Sequence, residues 1–215
     1  MKIKVGSNNV TIRKWKAKEK KAFLSTIKKG EPIDNLQDVL VYNCIEEDVV
    51  FNADEFKYAM TKIREYSIGE EITLEFYCNC CKSKFTETIN LKEVVKPVYS
   101  NKKIIKTKNY EIKLSNIRNV DFYKKTLKEN PSEEKDYDFY LRIGSINDND
   151  CMSLDEIIQL FNEMDIDEFD SIFEQWEDIR FKINDTKQIN CKKCNDAVVY
   201  SFDEIPGFFP MSWFK

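Results

Sequence analysis

Residues 71–89 read Glu71-Ile72-Thr73-Leu74-Glu75-Phe76-Tyr77-Cys78-Asn79-Cys80-Cys81-Lys82-Ser83-Lys84-Phe85-Thr86-Glu87-Thr88-Ile89. Ile72, Leu74 and Phe76 alternate with polar residues, the period of a strand with one buried face. A second strand-like run, Phe85 to Leu91, follows at once, so Cys78-x-x-Cys81 falls in the turn of a hairpin. Cys191-Lys192-Lys193-Cys194 has the same setting, between Gln188-Ile189-Asn190 and Ala197-Val198-Val199-Tyr200. A two-residue spacer in a tight turn lets both sulfurs face one concavity. Two such pairs supply the four thiolates of a tetrahedral Zn(II), with Zn–S near 2.3 Å. Cys78, Cys81, Cys191 and Cys194 are therefore the candidate metal ligands, and Zn(II) the expected structural cofactor. Cys80 is an extra thiol that could replace a neighbour.

The two pairs stand 109 residues apart, from Lys82 to Asn190, where compact zinc ribbons use about 15 to 20. The intervening chain must be an insertion whose ends return to one another. Closing so long a loop costs free energy that grows only with the logarithm of its length, and a structural zinc contributes on the order of 10 kcal/mol against it. The alternatives are that these cysteines are buried small apolar residues or that the pairs form reversible disulfides.

Around this core the chain is that of a globular protein. It has 215 residues, 42% hydrophobic and 13% aromatic, with only 5 Gly and 5 Pro, which excludes disordered and collagen-like classes. No histidine occurs, which removes His-based triads, proton shuttles and Cys/His metal sites. The odd number of cysteines, seven, in the reducing compartment expected by default, argues against a disulfide framework. The N-terminus lacks the apolar run of a secretion signal. The uncharged stretch Ile205 to Phe214 is ten residues long with two prolines, short of the roughly 18 that span a bilayer. Cys44 and Cys151, isolated among apolar residues, are expected in the core.

Charge is strongly polarised along the chain. Residues 1–30 hold ten Lys/Arg against one acid and residues 82–128 thirteen against four, whereas residues 131–181 hold sixteen acids against three bases. Such blocks are either solvated faces or complementary surfaces that orient a subunit among neighbours. An overall pI of about 5.2 argues against a nucleic-acid role, which needs an uncompensated positive surface.

Periodicity predicts a short strand at Val10–Trp15, then a helix carrying Trp15, Phe23, Leu24 and Ile27 and ending near Gly30. A second helix follows over Leu36, Val39, Leu40 and Asn43. Helix 52–66 opens on the Asn52/Glu55 capping-box spacing and stops at Ser67-Ile68-Gly69. Further strands are expected at Tyr110–Leu114, and a helical region from Ile117, broken at Asn130-Pro131-Ser132. Capping boxes Ser153/Glu156 and Asp165/Glu168 each lead an amphipathic helix. The expected fold class is α+β, a zinc-ribbon-like β unit with N-terminal helices and a helical insertion between the two cysteine knuckles. The expected segments are 1–70, basic strand and helices; 71–116, β section with the first knuckle; 117–182, acidic helical insertion; and 183–215, second knuckle and aromatic tail, all in one cooperative unit. Phe208, Phe209, Met211, Trp213 and Phe214 crowd that tail. They either cover the chain's own core or anchor a partner.

No G-x-G-x-x-G, G-x-x-x-x-G-K-[ST] or G-x-S-x-G occurs, and no carboxylate pair is set apart by its spacing. Phe56 to Leu74, with Arg64-x-x-Ser67-x-Gly69-Glu70 leading through a strand to Cys78-x-x-Cys81, resembles the baseplate hub protein family of T-even-like tailed bacteriophages. The likeness extends to Trp15–Ala22, Tyr42-Asn43-Cys44, Ile89–Val94, the closing knuckle and Phe208-Phe209. Asn79 stands where the family often has proline. The resemblance implies a non-enzymatic component or assembly factor of the contractile-tail baseplate hub. Its partners would be other hub or tail proteins, including the tape-measure protein, in the cytoplasm of an infected bacterium and in the virion baseplate. Three alternatives stand beside it: a tape-measure or tail assembly chaperone not retained in the virion; a zinc-ribbon nucleic-acid-binding regulator using Lys82, Lys84, Lys102, Lys103, Lys106 and Lys108; and a thiol oxidoreductase, whose C-x-x-C would sit at a helix N-terminus.

Overall fold

The computed structural model describes residues 1–29, 40–115, 117, 120–129 and 133–201. The chain is mixed α and β, with small antiparallel sheets and helices in two compact units. Unit 1 comprises Met1–Glu47, Ala53–Val98 and Lys182–Lys215; unit 2 comprises Asp48–Asn52 and Tyr99–Phe181. Among the described residues no helix is long and apolar enough to cross a membrane.

Unit 1 begins with a hairpin of β1 (Lys2–Val5) and β2 (Asn8–Thr11), turned at Gly6, whose φ of 57° suits a residue without Cβ. The expected strand at Val10–Trp15 is thus shifted toward the N-terminus. Lys2-Ile3-Lys4-Val5 alternates as a strand should, but it is too short to stand out without its partner. Helix α1 (Ala17–Lys29) follows. Its Glu19 reaches back to accept the Lys16 N–H at 2.7 Å and pairs with Arg13 at 2.7 Å. That is the return half of a capping box, with the charged partner that a buried carboxylate needs. The helix expected over Leu36–Asn43 falls largely outside the described residues.

Helix α2 (Ala53–Ser67) buries Ala59, Met60 and Ile63 at the i, i+1, i+4 positions of an apolar face, and Tyr58, Glu55, Thr61 and Arg64 are buried beside it, so the helix is covered over most of its circumference. Its exit explains the Arg-x-x-Ser-x-Gly motif. Arg64, 3% exposed, donates to the Gly69 and Glu71 carbonyls, the latter at 2.8 Å. Ser67 Oγ donates to the Ile63 carbonyl and accepts the Trp15 N–H at 2.9 Å. Gly69 takes φ 126°, where an L side chain is strained. Together these groups fix the angle at which the helix hands the chain to β3 (Glu71–Tyr77).

Strand β3 pairs with β4 (Lys84–Asn90) over seven residues, Glu71 opposite Asn90 and Tyr77 opposite Lys84. Ile72, Phe76 and Ile89 are buried while their neighbours are not, the alternation expected of a sheet with one covered face. A short α3 (Leu91–Val94), capped by Asn90, leads into β5 (Lys96–Val98). The chain then leaves unit 1 and returns at β9 (Lys182–Asn184), which pairs antiparallel with β5, Pro97 opposite Ile183. The ends of the insertion therefore meet in a ladder. Beyond it, β10 (Thr186–Asn190) and β11 (Ala197–Ser201) form the second cysteine hairpin.

Unit 2 is not all helical. Its sheet runs β6 (Ile104–Lys106), β7 (Glu111–Leu114), β8 (Ile143–Ile146), and β8 lies between α5 (Glu134–Tyr140) and α6 (Leu154–Asn162). Strands of three or four residues leave no periodic signal, and Gly144 disguises β8 further. Helices α4 (Val120–Glu129) and α7 (Ile166–Ile179) complete the unit. Ile105, Ile112, Phe139, Tyr140, Ile146, Ile157, Phe161, Ile172 and Trp176 form its core, with Phe139 edge-on to Phe161 and Phe173 at 5.5 and 5.1 Å. The aromatic stripes serve packing.

The Ser153/Glu156 capping box is present. The Asp165/Glu168 box is not: the Asp165 side chain makes no cap bond, and the Glu168 carboxylate, which would return to the Asp165 N–H, is engaged by Thr107 Oγ1 and Asn109 Nδ2. Buried Asp138 is satisfied by Tyr123 Oη at 2.7 Å, Arg142 Nε at 2.8 Å and Asn52 Nδ2 at 3.3 Å.

Candidate metal centre

The two cysteine turns have the same backbone. In the first, the Cys78 N–H donates to the Ser83 carbonyl and the Lys82 N–H to the Cys78 carbonyl, both at 2.9 Å. In the second, the Cys191 N–H donates to the Asp196 carbonyl and the Asn195 N–H to the Cys191 carbonyl, both at 2.8 Å. Lys82 and Asn195 hold φ 56° and 61°. This left-handed residue after the second cysteine folds each turn back so that its strands can pair.

The turns meet sulfur to sulfur. Sγ of Cys78, Cys81, Cys191 and Cys194 all lie within 4.8 Å of one another, with Cys78 to Cys194 and Cys81 to Cys191 each at 3.6 Å. Tetrahedral coordination with 2.3 Å bonds places ligand sulfurs about 3.8 Å apart. A disulfide needs about 2.05 Å, and the cysteines are free. The donor set, four thiols with no nitrogen or oxygen ligand, fits a thiophilic tetrahedral ion such as Zn(II). Cys78 and Cys191 are buried, Cys81 is half-buried and Cys194 is exposed.

Register decides the place of the extra thiol. Cys81 corresponds to Cys194 in the shared turn geometry and Cys80 to Lys193; Cys80 is exposed and stands outside the four-sulfur group. Cys44 is buried, and that burial pushes its thiol up to about 11 against a weaker pull from Arg13. Cys151, expected in the core, is exposed; it precedes the α6 cap in a polar loop where its sulfur faces Asp150 at 3.3 Å.

Cys191, Cys81 and Cys194 do not ionise alike. The backbone N–H groups of Cys194 and Lys193 pull Cys191 down to about 6, with Ser83 and Cys81 assisting against burial. The Ser83 hydroxyl and then its backbone hold Cys81 below the ordinary thiol value. At Cys194 the Asp196 backbone favours the thiolate, but desolvation and the sulfurs of Cys81, Cys78 and Cys191 outweigh it and push the group up to about 12. Four like charges in one cluster need a cation before all can form.

Other contacts join the hairpins without metal. Lys192 Nζ donates to the Thr86 carbonyl and pairs with Glu87, each at 2.8 Å. Phe76 meets Tyr200 edge to face at 5.3 Å. Sequence reasoning singled out neither Lys192 nor Ser83, although both sit within two residues of a cysteine in the turn.

The remaining candidates fare differently. Lys84 is paired with Glu75 and Lys106 with Glu111, and Lys82 and Lys84 belong to unit 1 whereas Lys102, Lys103, Lys106 and Lys108 belong to unit 2. Both C-x-x-C pairs lie in hairpin turns and not at helix N-termini, the setting that lowers a redox thiol. Phe208, Phe209, Met211, Trp213 and Phe214 lie outside the described residues.

Comparison with curated proteins gave no match, and comparison with solved structures gave none either. The family profile described as T4 bacteriophage base plate protein matches residues 1–210. That span includes both cysteine turns and the Arg64–Gly69 joint that positions the first of them, and the chain belongs to this family of phage baseplate proteins.

Proposed function

We propose that the protein is a non-enzymatic structural component or assembly factor of the contractile-tail baseplate hub, closed by a structural Zn(II) on Cys78, Cys81, Cys191 and Cys194 in a zinc-ribbon-like unit. The observation that carries the reading is the convergence of four sulfurs within 4.8 Å from two hairpins on either side of an inserted unit, in a chain of the baseplate family. With four thiolates and no open coordination position, such an ion activates no water and binds no substrate. Its work is to hold β3–β4 against β10–β11.

Partners in this reading are other hub or tail proteins, including the tape-measure protein, met in the host cytoplasm during assembly and retained in the virion baseplate. Oriented docking is supported by surface charge. Asp167, Asp170, Glu174 and Asp178 form one exposed ridge along α7, and Lys18, Lys21 and Lys28 form an exposed stripe along α1. The aromatic residues Phe208, Phe209, Met211, Trp213 and Phe214 are assigned to partner contact.

The test is co-purification of the tagged full chain from infected cells. Hub and tail proteins are expected with the wild type, and their recovery should fall at least tenfold when the four α7 ridge carboxylates are replaced by lysine. Recovery of no tail protein by a folded wild-type chain would contradict the reading.

A further inference from the structure

We infer that Ser83 is a positioning residue of the metal centre, its hydroxyl linking one sulfur of each hairpin. The inference rests on the reading of the four cysteines as zinc ligands. Ser83 Oγ lies 2.8 Å from Cys81 Sγ and 3.6 Å from Cys191 Sγ. The same residue's carbonyl accepts the Cys78 N–H and closes the first turn. One side chain thus touches both knuckles while its backbone shapes one of them.

The equivalent position in the second turn is Asp196, whose carboxylate is a hydrogen-bond acceptor and not a hydroxyl donor. That side chain has no hydrogen to donate to a thiolate, although the Asp196 backbone N–H favours the thiolate of Cys194. The two turns are alike in backbone and unlike here, so the hydroxyl is a contribution that turn geometry alone does not require. A Zn(II) held by four thiolates carries two net negative charges, and every sulfur around it is an acceptor. The Ser83 O–H then has sulfur as its natural target. Cys191 also receives the Lys193 N–H at 3.4 Å, and Lys192 anchors that turn to β4 through the Thr86 carbonyl. Cys81 has Ser83 as its close side-chain donor at 2.8 Å. Donation there fixes the Cys81 rotamer, and contact with Cys191 sets how closely the second hairpin approaches. Groups that orient metal ligands in this way are worth about 10- to 100-fold in metal affinity.

The experiment uses the full chain as wild type, Ser83→Ala and Ser83→Thr. Zinc affinity is measured by chelator competition, and the Co(II)-loaded proteins are compared by their sulfur-to-metal charge-transfer absorption. Ser83→Ala is expected to bind zinc about 10- to 100-fold more weakly and to move the charge-transfer band to lower energy, because a thiolate without its O–H donor gives up an electron more readily. Ser83→Thr restores both. Wild-type affinity and an unshifted band in Ser83→Ala would overturn the inference while leaving the zinc reading intact. A loss that threonine does not restore would also overturn it, since packing and not the hydroxyl would then be responsible. A folded wild type that binds no zinc would overturn the zinc reading, and this inference with it.

Discussion

Lys82 and Asn195 hold the same left-handed backbone conformation, each directly after the second cysteine of its turn. Neither is glycine, so each carries a Cβ in a region that costs an L residue about 1–2 kcal/mol, less for asparagine.

Substitution at these two positions should follow backbone strain and not side-chain chemistry. Lys82→Gly is expected to be neutral or to stabilise by up to about 1 kcal/mol, because relief of strain offsets the added freedom of the unfolded chain. Asn195→Val should cost about 1–3 kcal/mol. Urea unfolding of the zinc-loaded proteins measures both. An Asn195→Val protein as stable as wild type would show that the left-handed turn is not held in solution.

The cysteine turns were legible because two C-x-x-C pairs between alternating runs have few other uses, and α2, α6 and α7 because their apolar residues recur at helical spacing over nine or more residues. What sequence could not show is pairing at a distance. Glu168 stands three residues after Asp165, as a capping box requires, yet Thr107 and Asn109 engage it from across unit 2. Strands β5 and β9 are three residues each, and Pro97 hides the first; only their pairing makes them strands. Ser83 looks like an ordinary turn serine until the second hairpin arrives beside it.

The Glu19 contact with Arg13 predicts an acid-dependent term in stability. Burial by itself would raise the Glu19 carboxyl, but the Arg13 hydrogen bond, the Lys16 N–H and the Arg13 charge together hold it below its ordinary value. A carboxyl lowered in the folded state adds stability that is present above its unfolded pKa, about 4.3, and is lost as pH falls through the lower folded value. Glu19→Gln should therefore be less stable than wild type by about 1 kcal/mol near neutral pH, with the difference closing below about pH 4. Denaturant unfolding at pH 7, 5 and 3.5 reads this directly. A difference that stays constant across that range would contradict the ion pair.

Thiol labelling should divide the cysteines into three groups. Cys80 and Cys151 are exposed and should react with iodoacetamide in the native, zinc-loaded protein. Cys44, buried and pushed up to about 11, should react only on unfolding. The four cluster cysteines should be protected with metal, and a strong chelator should open Cys81 and Cys194 to the reagent first, since they are the less buried pair. Mass-spectrometric mapping distinguishes the groups. Labelling of Cys194 at the same rate with and without chelator would count against ligation.

The most direct test is metal content with local structure: zinc quantified on the purified full chain, followed by X-ray absorption at the zinc edge. One zinc per chain is expected, with four sulfur neighbours at about 2.3 Å and no nitrogen or oxygen in the first sphere, and Cys191→Ser should reduce the bound metal. A folded chain that retains no stoichiometric metal after exposure to zinc, or a zinc with fewer than four sulfur neighbours, would contradict this expectation.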